Sequence, residues 1–140
     1  MIQTLNIQLI HGIYAEDSWE ITIEVPENYK LIDLSSIILD SIEFDDDHLF
    51  EFYISKLPRS KMRERFECDE EEITKISIGE IAEKLTGKSL FYLFDYGDSW
   101  LFKINKTRKK LFTPIKNIQY PQIIKQVGTK PEQYPDYDEY

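Results

Sequence analysis

Apolar and polar residues alternate along two segments near the N-terminus. The alternation runs from Leu5 to Leu9 and again from Trp19 to Val25. A period of two places successive side chains on opposite faces of a strand, so we predict two half-buried strands that form an antiparallel pair. Pro26 is expected to end the second strand, because proline has no N–H group to donate to a neighbouring strand.

Two later segments have helical spacing instead. Asp33 is placed to cap a helix from about Leu34 to Ile42, in which apolar residues recur every three or four positions. Ser77 and Glu80 form an S-x-x-E capping box, in which each side chain satisfies a backbone N–H group of the first turn. Gly87 is placed to end this second helix in the left-handed conformation.

Strand patterns return around the predicted second helix. Phe50 to Ile54 alternates, Leu90 to Phe94 is apolar or aromatic throughout, and Trp100 to Ile104 alternates again. Because Leu90 to Phe94 carries large apolar side chains on both faces, we predict a central strand that is covered on both sides. The turn Asp95-Tyr96-Gly97-Asp98 predicts a hairpin in which Gly97 takes the positive φ that glycine tolerates.

The remaining segments are predicted to be peripheral. Residues 56–72 are charged with few apolar anchors, which indicates a mobile loop or irregular insertion. Ile118 to Ile124, interrupted by Pro121, predicts one more short edge strand. Residues 131–140 are predicted to be an extended acidic tail. We therefore expect a single α+β domain over residues 1–130, with a mostly antiparallel sheet of five or six strands and two helices.

Composition and charge narrow the class of protein. The 140 residues are 41% hydrophobic and 14% aromatic, which is globular composition. A net charge of −9 opposes attraction to phosphate backbones, so nucleic acid is a disfavoured partner despite the basic run from Lys106 to Lys110. The single cysteine, Cys68, excludes an intramolecular disulfide. With neither a signal peptide nor a membrane-spanning run, a cytoplasmic protein without a membrane partner is expected.

Aspartates and one histidine supply the candidate chemistry. His48 precedes one predicted strand, and Asp95 and Asp98 belong to the hairpin turn. If these meet at one end of the sheet, they supply ligands for Mg²⁺, Mn²⁺ or Zn²⁺, with Glu51 as the base of a hydrolase. The alternative interpretation is structural, because aspartates in turns commonly hydrogen-bond their own backbone. We favour the structural interpretation, since no spacing such as H-E-x-x-H accompanies these residues.

Three blocks of the sequence resemble the plasmid pRiA4b ORF-3-like family. The first contains V-P-E-N-Y-K-L-I-D-L and D-D-D-H-L-F-E-F, and the second runs from S-I-G-E-I-A-E-K-L to F-Y-L-F-D-Y-G-D-S-W. The third contains Tyr120-Pro121, Gly128 and Lys130-Pro131-Glu132. After it, residues 133–135 stand where the family usually has cysteines and a Gly-Gly pair.

The resemblance implies an α+β fold with a mostly antiparallel sheet, in a family of mobile-element passenger proteins that has no established activity. Six of the shared residues are expected to form the structural motif: Trp19, Phe52, Gly97, Trp100, Tyr120 and Pro121.

Two functional hypotheses follow. The leading one is a non-catalytic protein-interaction module of plasmid or transposon ancestry. Two short helices are expected to leave part of the central strand uncovered, so a protein partner or a second copy would complete its burial through a sheet face. The alternative is a hydrolase that depends on a divalent metal, with His48, Asp95 and Asp98 as ligands.

Overall fold

The computed structural model describes residues 1–15 and 17–135, and most of the described chain belongs to one sheet. Seven strands, two α-helices and one 3₁₀ turn follow in the order β1 (Ile2–His11), β2 (Trp19–Pro26), α1 (Leu31–Ile42), β3 (Phe50–Ser55), β4 (Glu64–Glu67), a 3₁₀ turn (Glu71–Thr74), α2 (Ile78–Glu83), β5 (Ser89–Phe94), β6 (Trp100–Lys106) and β7 (Gln122–Gly128).

All neighbouring strands are antiparallel, and their order across the sheet is β4-β3-β5-β6-β1-β2-β7. The antiparallel pair β1–β2 and the hairpin β5–β6 are both present, as the alternation predicted. The α+β class and the two helices are confirmed, whereas the described sheet has seven strands where five or six were expected.

The additional strand lies in the segment predicted to be a mobile loop. β4 pairs with β3 through Phe66, whose side chain is buried opposite Phe52. A single apolar residue anchors this strand, which is why the hydrophobic pattern did not reveal it. The 3₁₀ turn that follows buries Ile73. Irregular structure was therefore the wrong prediction for these parts of residues 56–72.

In both helices an acidic side chain of the first turn accepts the backbone N–H of the N-cap residue, although the helix ends differ from the prediction. α1 starts at Leu31, and Asp33 lies in its first turn, where Oδ2 accepts the N–H of Lys30 at 2.8 Å. The box of Ser77 and Glu80 is confirmed. α2 ends earlier than expected, and Gly87, with a φ of +70°, lies beyond its end.

The two helices cover one face of the sheet, which we call the core face, and the opposite face is the far face. Tyr92 of β5 points to the core face and forms a hydrogen bond of 2.7 Å with Ser35 of α1. On the far face Phe91 is completely buried, and it stacks on Tyr53 with ring centroids 5.0 Å apart. The prediction of a central strand covered on both sides is confirmed.

The remainder of the far face is mainly polar, which bears on the hypothesis of a sheet-face partner. Asn6, Gln8, Glu20, Thr22 and Lys103 are adjacent there through the registers of β1, β2 and β6. Leu93 of β5 and Leu101 of β6, which pair on this face, are only half-buried. Among the described residues, the incomplete burial expected for β5 is therefore limited to Leu93 and does not amount to an uncovered apolar face. Neither α1 nor α2 has the length and apolar character that crossing a bilayer requires.

Candidate functional site

His48 and Asp95 lie together at the end of the sheet where β3 begins and β5 ends. The backbone N–H of Asp95 donates to the carbonyl of Leu49 at 3.0 Å, which fixes the two segments side by side. His48 Nε2 lies 3.3 Å from Asp95 Oδ2, and the imidazole meets the ring of Phe94 edge to face at 6.0 Å. The structure thus brings together two of the three predicted ligands.

The carboxylate of Asp95 organises the hairpin turn. Its Oδ1 accepts the backbone N–H groups of Gly97 at 3.1 Å and Asp98 at 3.2 Å. Asp95 and Ser99 take the positive φ values, 62° and 54°, and Gly97 does not. The prediction of a positive φ at Gly97 was therefore wrong, because Asp95 closes the turn through its own side chain.

Asp98 completes the predicted trio. Burial raises the pKa of the Asp98 carboxyl, and the negative charge of Asp95 raises it further, while His48 acts in the opposite direction. The carbonyl of Asp98 also accepts the N–H of Ile13 at 2.9 Å, which ties the turn to the β1–β2 connection. The Asp98 carboxyl is therefore within electrostatic range of both Asp95 and His48 at this end of the sheet.

Two residues of the predicted tail, Gln133 and Tyr134, close this group. Gln133, which is buried, accepts the N–H of Asp45 at 2.7 Å and donates to the carbonyl of Asp45 and to Asp47 Oδ1. The Tyr134 hydroxyl lies 2.7 Å from His48 Nε2 and donates to Asp47 Oδ2 at 2.8 Å. Residues 136–140 of the predicted tail lie outside the described residues.

We call Asp47, His48, Asp95, Asp98 and Tyr134 the His48 cluster. Partial desolvation raises the pKa of Tyr134 to about 12, and its bond to Asp47 contributes further, so the hydroxyl keeps its proton at neutral pH. That single proton is donated to Asp47, so the short contact with His48 requires Nε2 to be the donor. With Nε2 engaged in this way, the Nδ1 atom of the neutral imidazole is the nitrogen that remains for a metal ion.

The described residues contain no group of three or more His, Cys, Asp or Glu side chains that could hold a metal ion. Glu51, the candidate base, belongs to another part of the molecule. It lies on the far face, where its Oε2 accepts a hydrogen bond from Arg65 at 2.7 Å. Binding to Glu51 raises the pKa of the Arg65 guanidinium. Glu51 therefore serves as the buried partner of a β4 arginine.

The residues of the structural motif lie mainly in the core. Trp19, Phe52 and Trp100 are buried, and Trp100 packs between Phe44, at a centroid distance of 5.0 Å, and Gly12. A Cβ atom at Gly12 would lie 2.5 Å from the indole ring, so only glycine fits there. Tyr120 and Pro121, joined by a cis peptide bond, lead into β7, and the Tyr120 ring contacts Phe112.

The outer side of β7 forms one edge of the sheet, which we call the β7 edge. Among the described residues β7 pairs only with β2, and six of its seven residues are exposed. Its apolar side chains Ile123, Ile124 and Val127 are 44–47% exposed. The register shifts by one residue opposite Thr22, so Ile124 has no partner in β2. An unpaired edge with exposed apolar side chains is a template for a further strand.

A groove of about 250 Å³ lies beside this edge, between β7 and the end of α1. Ile23, Ile37, Pro121 and Ile123 form its apolar part, and Asp40, Ser41 and Gln122 form its polar part. The groove is large enough to receive an apolar side chain from a strand that pairs with β7. The edge and the groove together form a continuous surface.

The opposite edge of the sheet is protected. β4 has only four residues, and three of them, Glu64, Arg65 and Glu67, are charged. Lys84 binds Glu64 at 3.1 Å, and Arg65 binds Glu67 at 2.7 Å. Short length and charged side chains are the usual means by which a sheet edge avoids pairing with another chain.

The comparisons with known proteins place the chain in one family. The model of the plasmid pRiA4b ORF-3-like protein family matches residues 5–137, nearly the whole chain, so the protein belongs to this family. Among solved structures, it is similar to the protein of unknown function MM3350 from Methanosarcina mazei Go1, with a TM-score of 0.70 and 22% identity. That match covers 89% of this chain and 68% of the other. No match was found among curated proteins.

Proposed function

We propose that this protein is a non-catalytic protein-interaction module of mobile-element ancestry that acts in the cytoplasm. It binds an extended segment of a partner protein as an additional strand on the β7 edge. The observation that carries the proposal is the contrast between the exposed apolar residues of β7 and the charged, four-residue β4. In strand addition, backbone hydrogen bonds supply affinity and side-chain pockets supply specificity. The groove next to Ile123 is suited to be such a pocket.

The charge of the chain around β7 indicates an acidic partner. Residues 99–131 contain 8 Lys and Arg and no Asp or Glu, a charge of +8. The other 9 Lys and Arg and all 26 Asp and Glu leave −17 on the rest of the protein. Lys116 and Lys125 have no carboxylate partner within 4.0 Å in the described residues. A second copy, with its net charge of −9, is a less suitable partner than a short acidic segment.

A selection from displayed random peptides of about twelve residues tests this proposal. We expect the selected peptides to alternate β-branched residues with Asp or Glu, and to shift the amide NMR signals of β7 and α1. Lys125→Glu should weaken their binding about tenfold, because it reverses the charge at the edge. The matched control Lys56→Glu makes the same change on an exposed residue after β3 and should leave binding unchanged.

Two results would overturn the proposal. One is that no peptide is enriched on this protein relative to the same selection on an unrelated acidic protein of the same size. The other is that the selected peptides shift signals on the far face or at the His48 cluster and leave those of β7 in place.

The alternative is the metal-dependent hydrolase, and the proximity of His48 to Asp95 and Asp98 is what supports it. Thermal unfolding with Mg²⁺, Mn²⁺ or Zn²⁺ distinguishes the two proposals. A site that binds only the folded chain stabilises it by about 2.7 kcal/mol at a hundredfold excess over Kd. We expect no such stabilisation, because Tyr134 already binds His48 Nε2 and the Asp95 carboxylate already binds two backbone N–H groups. A stabilisation that disappears in Asp98→Ala would favour the hydrolase.

A further inference from the structure

A second concave surface lies near the protected edge of the sheet, between the segment before β4 and the segment after α2. It encloses about 600 Å³. Lys84 Nζ donates to both carboxylate oxygens of Glu64, at 3.1 and 3.4 Å, and so connects the two walls. We call this surface the basic cleft, because four of its lining residues are Lys61, Arg63, Lys84 and Lys88.

The charge of the basic cleft is opposite to that of the protein. Four basic side chains and the single carboxylate of Glu64 give +3, in a chain whose net charge is −9. Lys61 and Lys88 are exposed and have neither a hydrogen bond nor an ion pair from their side chains in the described part of the chain. Uncompensated cations gathered in a concave surface attract and concentrate an anionic ligand.

Arg63 is held in position before any ligand arrives. Its Nε donates to the carbonyl of Ser60 at 2.8 Å, and one terminal nitrogen donates to the carbonyl of Pro58 at 3.3 Å. The guanidinium lies 4.1 Å from the centre of the Tyr53 ring, and no carboxylate is among these partners. These contacts hold the guanidinium over Tyr53 on the far face, whereas Glu64 lies opposite Ile54 of the core face and binds Lys84. Arg63 therefore forms a wall of the cleft and adds to its positive charge.

We propose that the basic cleft binds a small organic triphosphate. Lys61 and Lys88 bind the phosphate oxygens, and the organic group contacts Met62, whose side chain is 86% exposed at the rim. A flexible methionine adapts to an apolar surface of varied shape. The volume is within the range of ligand sites, roughly 300–1,000 Å³. This site is separate from the β7 edge and does not depend on the proposed function.

Calorimetric titration with ATP and with inorganic triphosphate, without added metal and at constant ionic strength, tests the proposal. We expect ATP to bind, and to bind more tightly than inorganic triphosphate because of the contact with Met62. Lys61→Glu combined with Lys88→Glu should weaken ATP binding at least about tenfold. The control combines Lys106→Glu and Lys110→Glu, two exposed residues outside the cleft, and should have little effect.

Glu64→Gln provides a test in the opposite direction. It removes the only carboxylate of the cleft and releases Lys84, so ATP should bind more tightly. The proposal is overturned if ATP does not bind, if inorganic triphosphate binds equally well, or if the two double variants weaken binding equally. Equal weakening would mean that net charge, and not the cleft, attracts the ligand.

Discussion

The His48 cluster and the β7 edge, two regions at the margin of the sheet, differ in whether their polar groups are already bonded. In the cluster, residues from three segments satisfy one another: Asp95 binds two backbone N–H groups, and Tyr134 bridges His48 and Asp47. At the β7 edge, no strand of residues 1–15 or 17–135 pairs with the outer backbone groups, and three apolar side chains are exposed. The cluster therefore stabilises the fold itself, whereas the edge retains interactions that a partner can complete.

This difference shows why clustered acidic and imidazole groups are insufficient evidence for catalysis. Two of the predicted ligands, His48 and Asp95, meet, yet the Asp95 carboxylate is engaged in closing a turn. Side chains occupied in this way contribute to stability, and a change in them is expected to affect unfolding first. Side chains at a binding edge contribute little to stability, because they are exposed until the partner arrives.

The largest expected effect is that of Asp95→Ala. The substitution leaves the N–H groups of Gly97 and Asp98 without their acceptor and puts alanine at a φ of 62°. We expect a loss of about 3 kcal/mol, given that each hydrogen bond to a charged group contributes about 1.5–3 kcal/mol. Urea unfolding at pH 7 measures this loss.

Asp95→Asn is the matched control, since asparagine keeps a side-chain oxygen and tolerates positive φ. We expect it to cost about 1 kcal/mol. If the two variants unfold at the same urea concentration as the unchanged protein, the turn does not depend on Asp95, and the structural role that we assign to the cluster is wrong.

Val127→Ser is expected to have a much smaller effect on stability. Val127 is 44% exposed on β7, so the change in the free energy of unfolding should stay within about 0.5 kcal/mol. Peptides selected against the β7 edge should nevertheless bind more weakly, because they lose an apolar contact. A large loss of stability with unchanged peptide binding would mean that Val127, like Asp95, stabilises the fold. That result would contradict the contrast between the β7 edge and the His48 cluster.

The sequence predicted the parts of the fold that depend on repeated local patterns. The alternation in β1, β2, β5 and β6 revealed strands, and the capping box of Ser77 and Glu80 revealed α2. β4 was missed because one buried residue, Phe66, replaces a repeated pattern. Its pairing depends on contacts with β3, and such contacts have no signal within the segment itself.

The candidate site was also predicted in part. Asp95 and His48 were candidates because carboxylates and imidazoles bind metal ions, and both lie in the sequence blocks that resemble the family. The contribution of Gln133 and Tyr134 was not predictable, because 86 or more residues separate them from Asp45, Asp47 and His48. Only the folded chain brings the end of the described sequence to this loop.

The smallest expected effect is that of removing the negative charge of Asp98, which is unfavourable in the His48 cluster. Burial, together with the neighbouring Asp95 carboxylate, raises the pKa of Asp98 above its usual value. An acid whose pKa is higher in the folded than in the unfolded chain binds its proton more tightly when folded. Its contribution to the free energy of unfolding therefore decreases as the pH rises through the two pKa values.

Asp98→Asn removes this pH dependence, because asparagine does not ionise. We expect the difference in Tm between the variant and the unchanged protein to grow as the pH rises from about 4, the usual range of an aspartate pKa. The difference should become constant by about pH 7. The gain should be less than about 3 °C for a partly exposed group. A difference in Tm that is the same at every pH would mean that ionised Asp98 is not destabilising. The His48 cluster would then satisfy all of its charges, and its contrast with the β7 edge would be sharper still.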